Sequence, residues 1–236
     1  MSNQPSRLVE IPKSTRRIRG VSAVQQIYER LREQIVELSL PPGSVISKNE
    51  LAAEFGVSPT PVRDALLRLE DEGLIEIFPQ SRTVVSYIDV QSAREAHFLR
   101  RSVEVEIARI LSLDITEGQT AELRAVITQQ AANLKVEDFS AFTASDDQFH
   151  ERMYAFAGVG GLWSLIRTRR AHLDRLRHLH LPARGKAKAI LKDHKTIIDA
   201  VAAHDAEGAE RAVREHLKGT VSATEEIRSH FPEYFE

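Results

Sequence analysis

Asp146 and His150 stand four residues apart, so on a helix both side chains leave the face that also carries Phe149 and Met153. A carboxylate and an imidazole are thereby aimed at an apolar interior. His194 lies among Ile197, Ile198 and Val201, and His216 among Ala212, Val213 and Leu217, which places each in a further apolar-periodic segment. One carboxylate and three neutral imidazoles suit a borderline divalent cation such as Zn²⁺, Ni²⁺ or Mn²⁺. Spacing alone also fits histidines that are hydrogen-bonded core residues. A third reading makes the same four groups a hydrolytic or oxygen-activating centre, and against it the chain holds neither H-E-x-x-H nor any Glu-x-x-His.

Helices must position these groups. After Asp89 the sequence is almost wholly helical in pattern, and punctuation divides it into six helices: 90–113, 117–135, 137–157, 161–181, 186–203 and 206–230. Phe139, Phe142, Phe149, Met153 and Phe156 give the third its apolar period, and such helices can bury a shared core. Arg100 and Arg101 open the bundle, either as a solvated face or with Arg100 as a carboxylate anchor. His172 is the further candidate for a pocket, whereas His97, His178, His180, His204 and His230 read as bland. Trp163 and the arginine-rich run 167–177 read as packing and surface charge, with dimer or pocket contacts as the alternative.

The N-terminal part has a different grammar. Ser22 with Gln25 and Ser47 with Glu50 have the spacing of capping boxes, opening one helix marked by Val24, Ile27, Leu31, Ile35 and Leu38 and a short second one, 48–55. Gly56 ends the second helix. Ser58 or Thr60 can cap a third, with Pro59 and Pro61 in its first turn, where a missing N–H breaks no helical bond. Val62, Ala65, Leu66 and Leu69 then recur at i, i+3, i+4 and i+7, leaving Arg63 and Arg68 outward. Runs 74–78 and 83–87 are β-rich and are joined by a polar turn containing Gln80 and Arg82, and Val45-Ile46 reads as a strand against that hairpin. The order is that of a winged helix-turn-helix. Arg63 is positioned to read a base edge, with Lys48, Asn49, Ser58, Thr60, Gln80 and Arg82 as the other DNA-contacting candidates.

The residues Glu50-Leu51-Ala52, Phe55-Gly56-Val57-Ser58, Thr60 through Leu66 and Arg68 through Leu74 closely resemble the DNA-binding domain of GntR-family transcription regulators. Asp146-x-x-Phe149-His150, Asp193-His194-x-x-Ile197-x-x-Ala200 and Ala209-x-x-Ala212-x-x-x-His216-Leu217 resemble the FCD ligand-binding domain of the FadR subgroup, as do Leu99-Arg100 with Val103-Glu104. Six helices fit its VanR-like branch. The resemblance implies that Asp146, His150, His194 and His216 ligate a divalent metal, and that the chain is a ligand-responsive regulator. Pro59 departs from the family, which commonly has Arg there, and Val159 from its frequent Asn.

The fold class expected is therefore mainly α: a winged helix-turn-helix followed by an all-helical bundle. Its parts are a basic flexible arm (1–20), a DNA-binding domain (21–88) and a metal, effector and dimerisation domain (89–236). With 236 residues, 42% hydrophobic, two domains can each bury a core. The net charge of −2 gives no gross nucleic-acid signal, so the placement of cations has to carry that argument; Arg7, Lys13, Arg16, Arg17 and Arg19 concentrate it in the arm. Absence of cysteine excludes disulfides and thiolate metal sites and suits the cytoplasm, and no apolar run is long enough to span a membrane. The expected protein is a homodimeric repressor of a palindromic DNA operator, not an enzyme. Its effector is expected to be a small carboxylic acid on the metal's open positions, anchored also by Arg100 or His172. A metalloenzyme and a regulator with a purely structural metal are the alternatives.

Overall fold

In the computed structural model, residues 21–79 and 81–236 are described; the basic arm and Gln80 lie outside them. The chain forms two compact units, residues 90–227 and residues up to 89 joined by Arg228–Glu236. The last nine residues therefore group with the N-terminal unit, whereas the sequence pattern assigns them to the bundle. Their anchor is backbone pairing, since Ile88 N donates to the Tyr234 carbonyl at 2.9 Å and Ile88 bridges to Phe235.

In the first unit, α1 (Ala23–Val36), α2 (Lys48–Phe55) and α3 (Pro59–Asp71) pack around Ile27, Leu31, Leu51, Leu66 and Leu69. The Ser22 hydroxyl caps α1 by accepting from Gln25 N at 3.2 Å, but the Gln25 amide turns away to Glu29 and Arg68, so no reciprocal box forms. Ser47 caps α2 in the same way, accepting from Glu50 N at 3.3 Å. Gly56, at φ 60°, makes the left-handed turn that releases the chain toward α3. Ser58 holds the N-cap position of α3 without a side-chain hydrogen bond, and Pro59 supplies the preset first-turn geometry. Strands β1 (Val45–Ile46), β2 (Ile75–Ile77) and β3 (Thr83–Val85) form an antiparallel sheet in the order β1-β3-β2, with Val45 opposite Val84 and Ile77 opposite Thr83. Beyond that register the wing closes through Phe78 N and the Arg82 carbonyl at 2.8 Å.

The second unit is helical: α4 (Val90–Asp114), α5 (Glu117–Lys135), α6 (Phe139–Phe156), α7 (Gly161–Arg169), α8 (Ala171–His180), α9 (Lys186–Ala202) and α10 (Ala206–Ser222), with α11 (Thr224–His230) leading out. Two of the six expected helices are thus broken. The first break is tertiary in origin: Arg170 leaves helical geometry at φ −94°, ψ 9°, and its buried guanidinium is held by Asp147 at 2.5 Å and Asp174 at 3.1 Å, over the Trp163 ring. The second falls at Ala223. A full capping box at Thr116 and Gln119 starts α5. Phe149, Met153, Ile107, Leu111, Ile127, Ile197, Val201 and Val213 make the core, in which α4 packs against α10 and α5 against α6.

Candidate metal centre

The apolar stripes that build the bundle also carry its polar exceptions inward. Asp146 and His150 descend from α6, His194 from α9 and His216 from α10, and one donor atom from each lies within 4.8 Å of every other. Asp146 Oδ1 is 3.4 Å from His194 Nε2, and Asp146 Oδ2 is 3.9 Å from His150 Nε2. His150 and His216 meet Nε2 to Nε2 at 3.2 Å. Phe149 stacks on the His194 ring at 4.2 Å and closes one side with hydrocarbon.

A second layer of groups sets the ring orientations. Gln130 Oε1 lies 2.9 Å from His194 Nδ1, and its amide nitrogen donates to Asp146 Oδ1 at 3.4 Å, so one side chain steadies two of the four groups. Glu104 Oε2 is 3.0 Å from His150 Nδ1, and Asp193 Oδ2 is 3.6 Å from His216 Nδ1. Protons placed on the Nδ1 atoms, toward these oxygens, would leave each Nε2 lone pair directed at the common centre. His194 Nε2 is buried without a hydrogen-bond partner, and the two Nε2 atoms 3.2 Å apart could both direct lone pairs at a cation between them.

The protonation states agree with that donor set. Burial alone would raise the Asp146 carboxyl, but Arg177, His194 and His150 hold it well below the usual carboxylate range. Burial above all pushes the His150 imidazole down to about 4, against the opposing pull of Glu104. Burial and then His216 hold His194 well below the ordinary imidazole value. The carboxylate is ionised and these two imidazoles are neutral at neutral pH, as ligands must be.

Beside this cluster a cavity is lined by His216, Arg100, Arg177, Lys186 and His97, among others. Arg100 is buried, donates Nε to Glu104 at 2.6 Å and leaves Nη2 without a hydrogen-bond partner, so it is no solvated surface residue. His172 is also buried, but its neighbour Leu173 lines the cavity in its place. The arginine-rich run is only in part surface charge: Arg169 is exposed, but Arg170 and Arg175 are wholly buried, and Arg177 pairs with Asp146. Sequence reasoning passed over Glu104, Gln130, Arg177 and Lys186. Only the i, i+4 pair Arg100/Glu104 and the Arg170/Asp174/Arg177 spacing carried a readable signal.

On the first unit, Lys48 and Asn49 at the start of α2, Ser58, Thr60 and Arg63 at the start of α3, and Arg82 on the wing are all exposed. Arg68 is exposed too, yet its guanidinium lies over the Tyr28 ring at 3.8 Å and donates to Gln25. It packs on α1 where Arg63 does not.

A winged helix-turn-helix followed by a separate helical bundle is the architecture of a DNA-binding transcription regulator, not of an enzyme. The family model "Bacterial regulatory proteins, gntR family" matches residues 23–85, and that of the FCD domain matches residues 95–219. An uncharacterized HTH-type transcriptional regulator of Streptomyces ambofaciens is 36% identical over 89% of either chain. The HTH-type transcriptional repressor RspR of Escherichia coli is 31% identical over 89% of this chain and 92% of its own. Among solved structures, E. coli McbR/YncC shares the fold at a TM-score of 0.73 and 21% identity, over 89% of this chain and 99% of that one. The chain belongs to the GntR family of transcription regulators, in the FadR-like subgroup that carries an FCD domain. Among the described residues no helix is long and apolar enough to cross a membrane.

Proposed function

We propose that this chain is a cytoplasmic, homodimeric repressor whose FCD domain holds one divalent metal and answers to a small carboxylic acid. The observation that carries the reading is the convergence of three imidazole Nε2 atoms and one carboxylate, each imidazole backed at Nδ1 by a carboxylate or amide oxygen. Asp146, His150, His194 and His216 would hold the ion, and Zn²⁺, Ni²⁺ and Mn²⁺ all suit such donors. When bound, the metal supplies open positions and two positive charges, of which Asp146 cancels one. An anion is the natural occupant. Arg100 Nη2, buried and unpaired beside His216, is the second anchor for a carboxylate.

Arg63 would pair with a guanine in the major groove, while Lys48, Asn49, Ser58, Thr60, Gln80 and Arg82 contact phosphates or the minor groove. One such helix reads only a few base pairs, so two copies on a palindrome give the needed specificity. Repression is supported by the relative named as a repressor.

The test is a thermal-shift screen of hydroxy, keto, sugar and aromatic acids on metal-loaded protein, chelated protein and His150→Ala, with a gel shift for each hit. An acid that stabilises only the loaded wild type and releases DNA supports the reading. Equal stabilisation of all three preparations contradicts metal chelation, and no hit at all favours a structural metal.

A further inference from the structure

The cavity beside the metal ligands is lined by three full cations, Arg100, Arg177 and Lys186, and by no carboxylate. Its free volume of about 30 Å³ holds a few waters, which the polar ends of an entering acid would displace. The three cations differ in how they are engaged. Arg177 is paired with Asp146 and Asp174, and Arg100 gives its Nε to Glu104. Lys186 makes no ion pair among the described residues: burial and then Arg177 weigh against its charge, while Asp193 and Asp146 favour it from beyond contact distance.

The ammonium lies close to a glycine. A Cβ on Gly219 would meet Lys186 Nζ at 2.5 Å, so the bare turn of α10 is what the ammonium lies against. Gly219 follows His216 by three residues, which puts the two on one face of α10 about 4.5 Å apart along its axis. A short chain bearing an anionic group at each end spans that step. Thr220, buried in the same lining, adds a hydroxyl, and His97 Nε2 is a buried polar atom without a hydrogen-bond partner.

We infer that the effector is a short dicarboxylate: one carboxylate reaches the metal beside Arg100, and Lys186 binds the second over the turn that Gly219 leaves open. This rests on the metal-and-acid reading above and adds the charge of the ligand to it. Lys186 is then a specificity residue, because only an acid with a second carboxylate gives its half-buried ammonium an ion pair that the free protein lacks.

The experiment is calorimetric titration of zinc-loaded, full-length protein with matched pairs, malate against 2-hydroxybutyrate and tartrate against threonate, with zinc content measured on the same samples. The diacid should bind on the order of tenfold or more tightly than its partner. Lys186→Met should remove most of that advantage while monoacid affinity stays within about twofold. Gly219→Ala, which displaces the ammonium without removing it, should weaken the diacid in the same sense. Equal affinities within each pair, a Lys186→Met loss that falls equally on both acids, or no binding by any of the four would overturn the inference. Full zinc content with no diacid preference overturns it and leaves the metal reading standing, whereas failure to retain zinc overturns both. The comparison within each pair uses wild-type protein and so does not depend on either variant folding.

Discussion

His150 and His216 face each other Nε2 to Nε2 at 3.2 Å from helices far apart in sequence, each with an acidic oxygen on its Nδ1 side. With both Nδ1 atoms protonated, the two lone pairs repel until a cation lies between them. Metal should therefore stabilise the folded bundle by RT ln(1 + [M]/Kd), about 2.7 kcal/mol at a hundredfold excess over Kd. Unfolding monitored with zinc and with strong chelator should differ by this order in the wild type and much less in His216→Ala. Identical curves for wild type with and without zinc would contradict the arrangement.

Gln130 is the only neutral group among the three Nδ1 partners, and it also donates to Asp146. Gln130→Leu keeps the volume and deletes both contacts, so metal affinity should fall about 10–100-fold. Gln130→Glu restores an acceptor for His194 and should recover part of the loss. Competition with a chromogenic chelator measures both, and unchanged affinity in Gln130→Leu would show that His194 needs no outer support.

In the first unit, Glu72 accepts from Arg32 Nε at 2.9 Å and from the Tyr28 hydroxyl, tying the end of α3 to α1 across a nearly dry contact. Burial, followed by the Glu72 contact, pushes the Tyr28 hydroxyl up to about 12, so it remains a donor at any working pH. Glu72→Ala removes the acceptor that Arg32 and Tyr28 share and should cost about 1.5–3 kcal/mol. Denaturant titration of the first transition should record it, with zinc content unaltered. A cost below about 1 kcal/mol, the range of exposed pairs, would mean that water reaches this contact.

Arg63 is exposed at the start of α3 on the side away from Val62, Ala65 and Leu66. Arg63→Ala should weaken operator binding by about 1–3 kcal/mol and relax preference at one position per half-site. Arg82→Ala should weaken binding to all sequences alike and lower the salt slope by about 1. Selection from a randomised operator library separates the two, and an unrelaxed site with Arg63→Ala would remove it from base reading.

Helix α3 and the inward placement of Asp146 and His150 were legible because each depends on a period within one segment: Val62 to Leu69 along α3, and Asp146 with His150 along α6. The family resemblance joined the segments that periodicity leaves separate. What stayed hidden depends on contacts between segments. The break at Arg170 follows from carboxylates at Asp147 and Asp174, and a helical pattern across 161–181 shows no sign of it. Gln130 and Glu104 look like ordinary polar helix positions until α5 and α4 bring them to the histidines. Arg177 reads as surface charge because an inward arginine is rare without a buried partner, and Asp146 is that partner. The capping spacing at Ser22 and Gln25 was read correctly for the hydroxyl, but Arg68 and Glu29 compete for the Gln25 amide.

Asp146, His150, His194 and His216 are proposed to bind one divalent ion, and elemental analysis of purified full-length protein decides whether they do. Wild type dialysed against trace metals should carry close to one Zn²⁺, Ni²⁺ or Mn²⁺ per chain, while His194→Ala and His216→Ala, with helical content intact by circular dichroism, should fall well below that. Full metal content in both folded variants would put the ion elsewhere, and a metal-free wild type under the same dialysis would contradict the account.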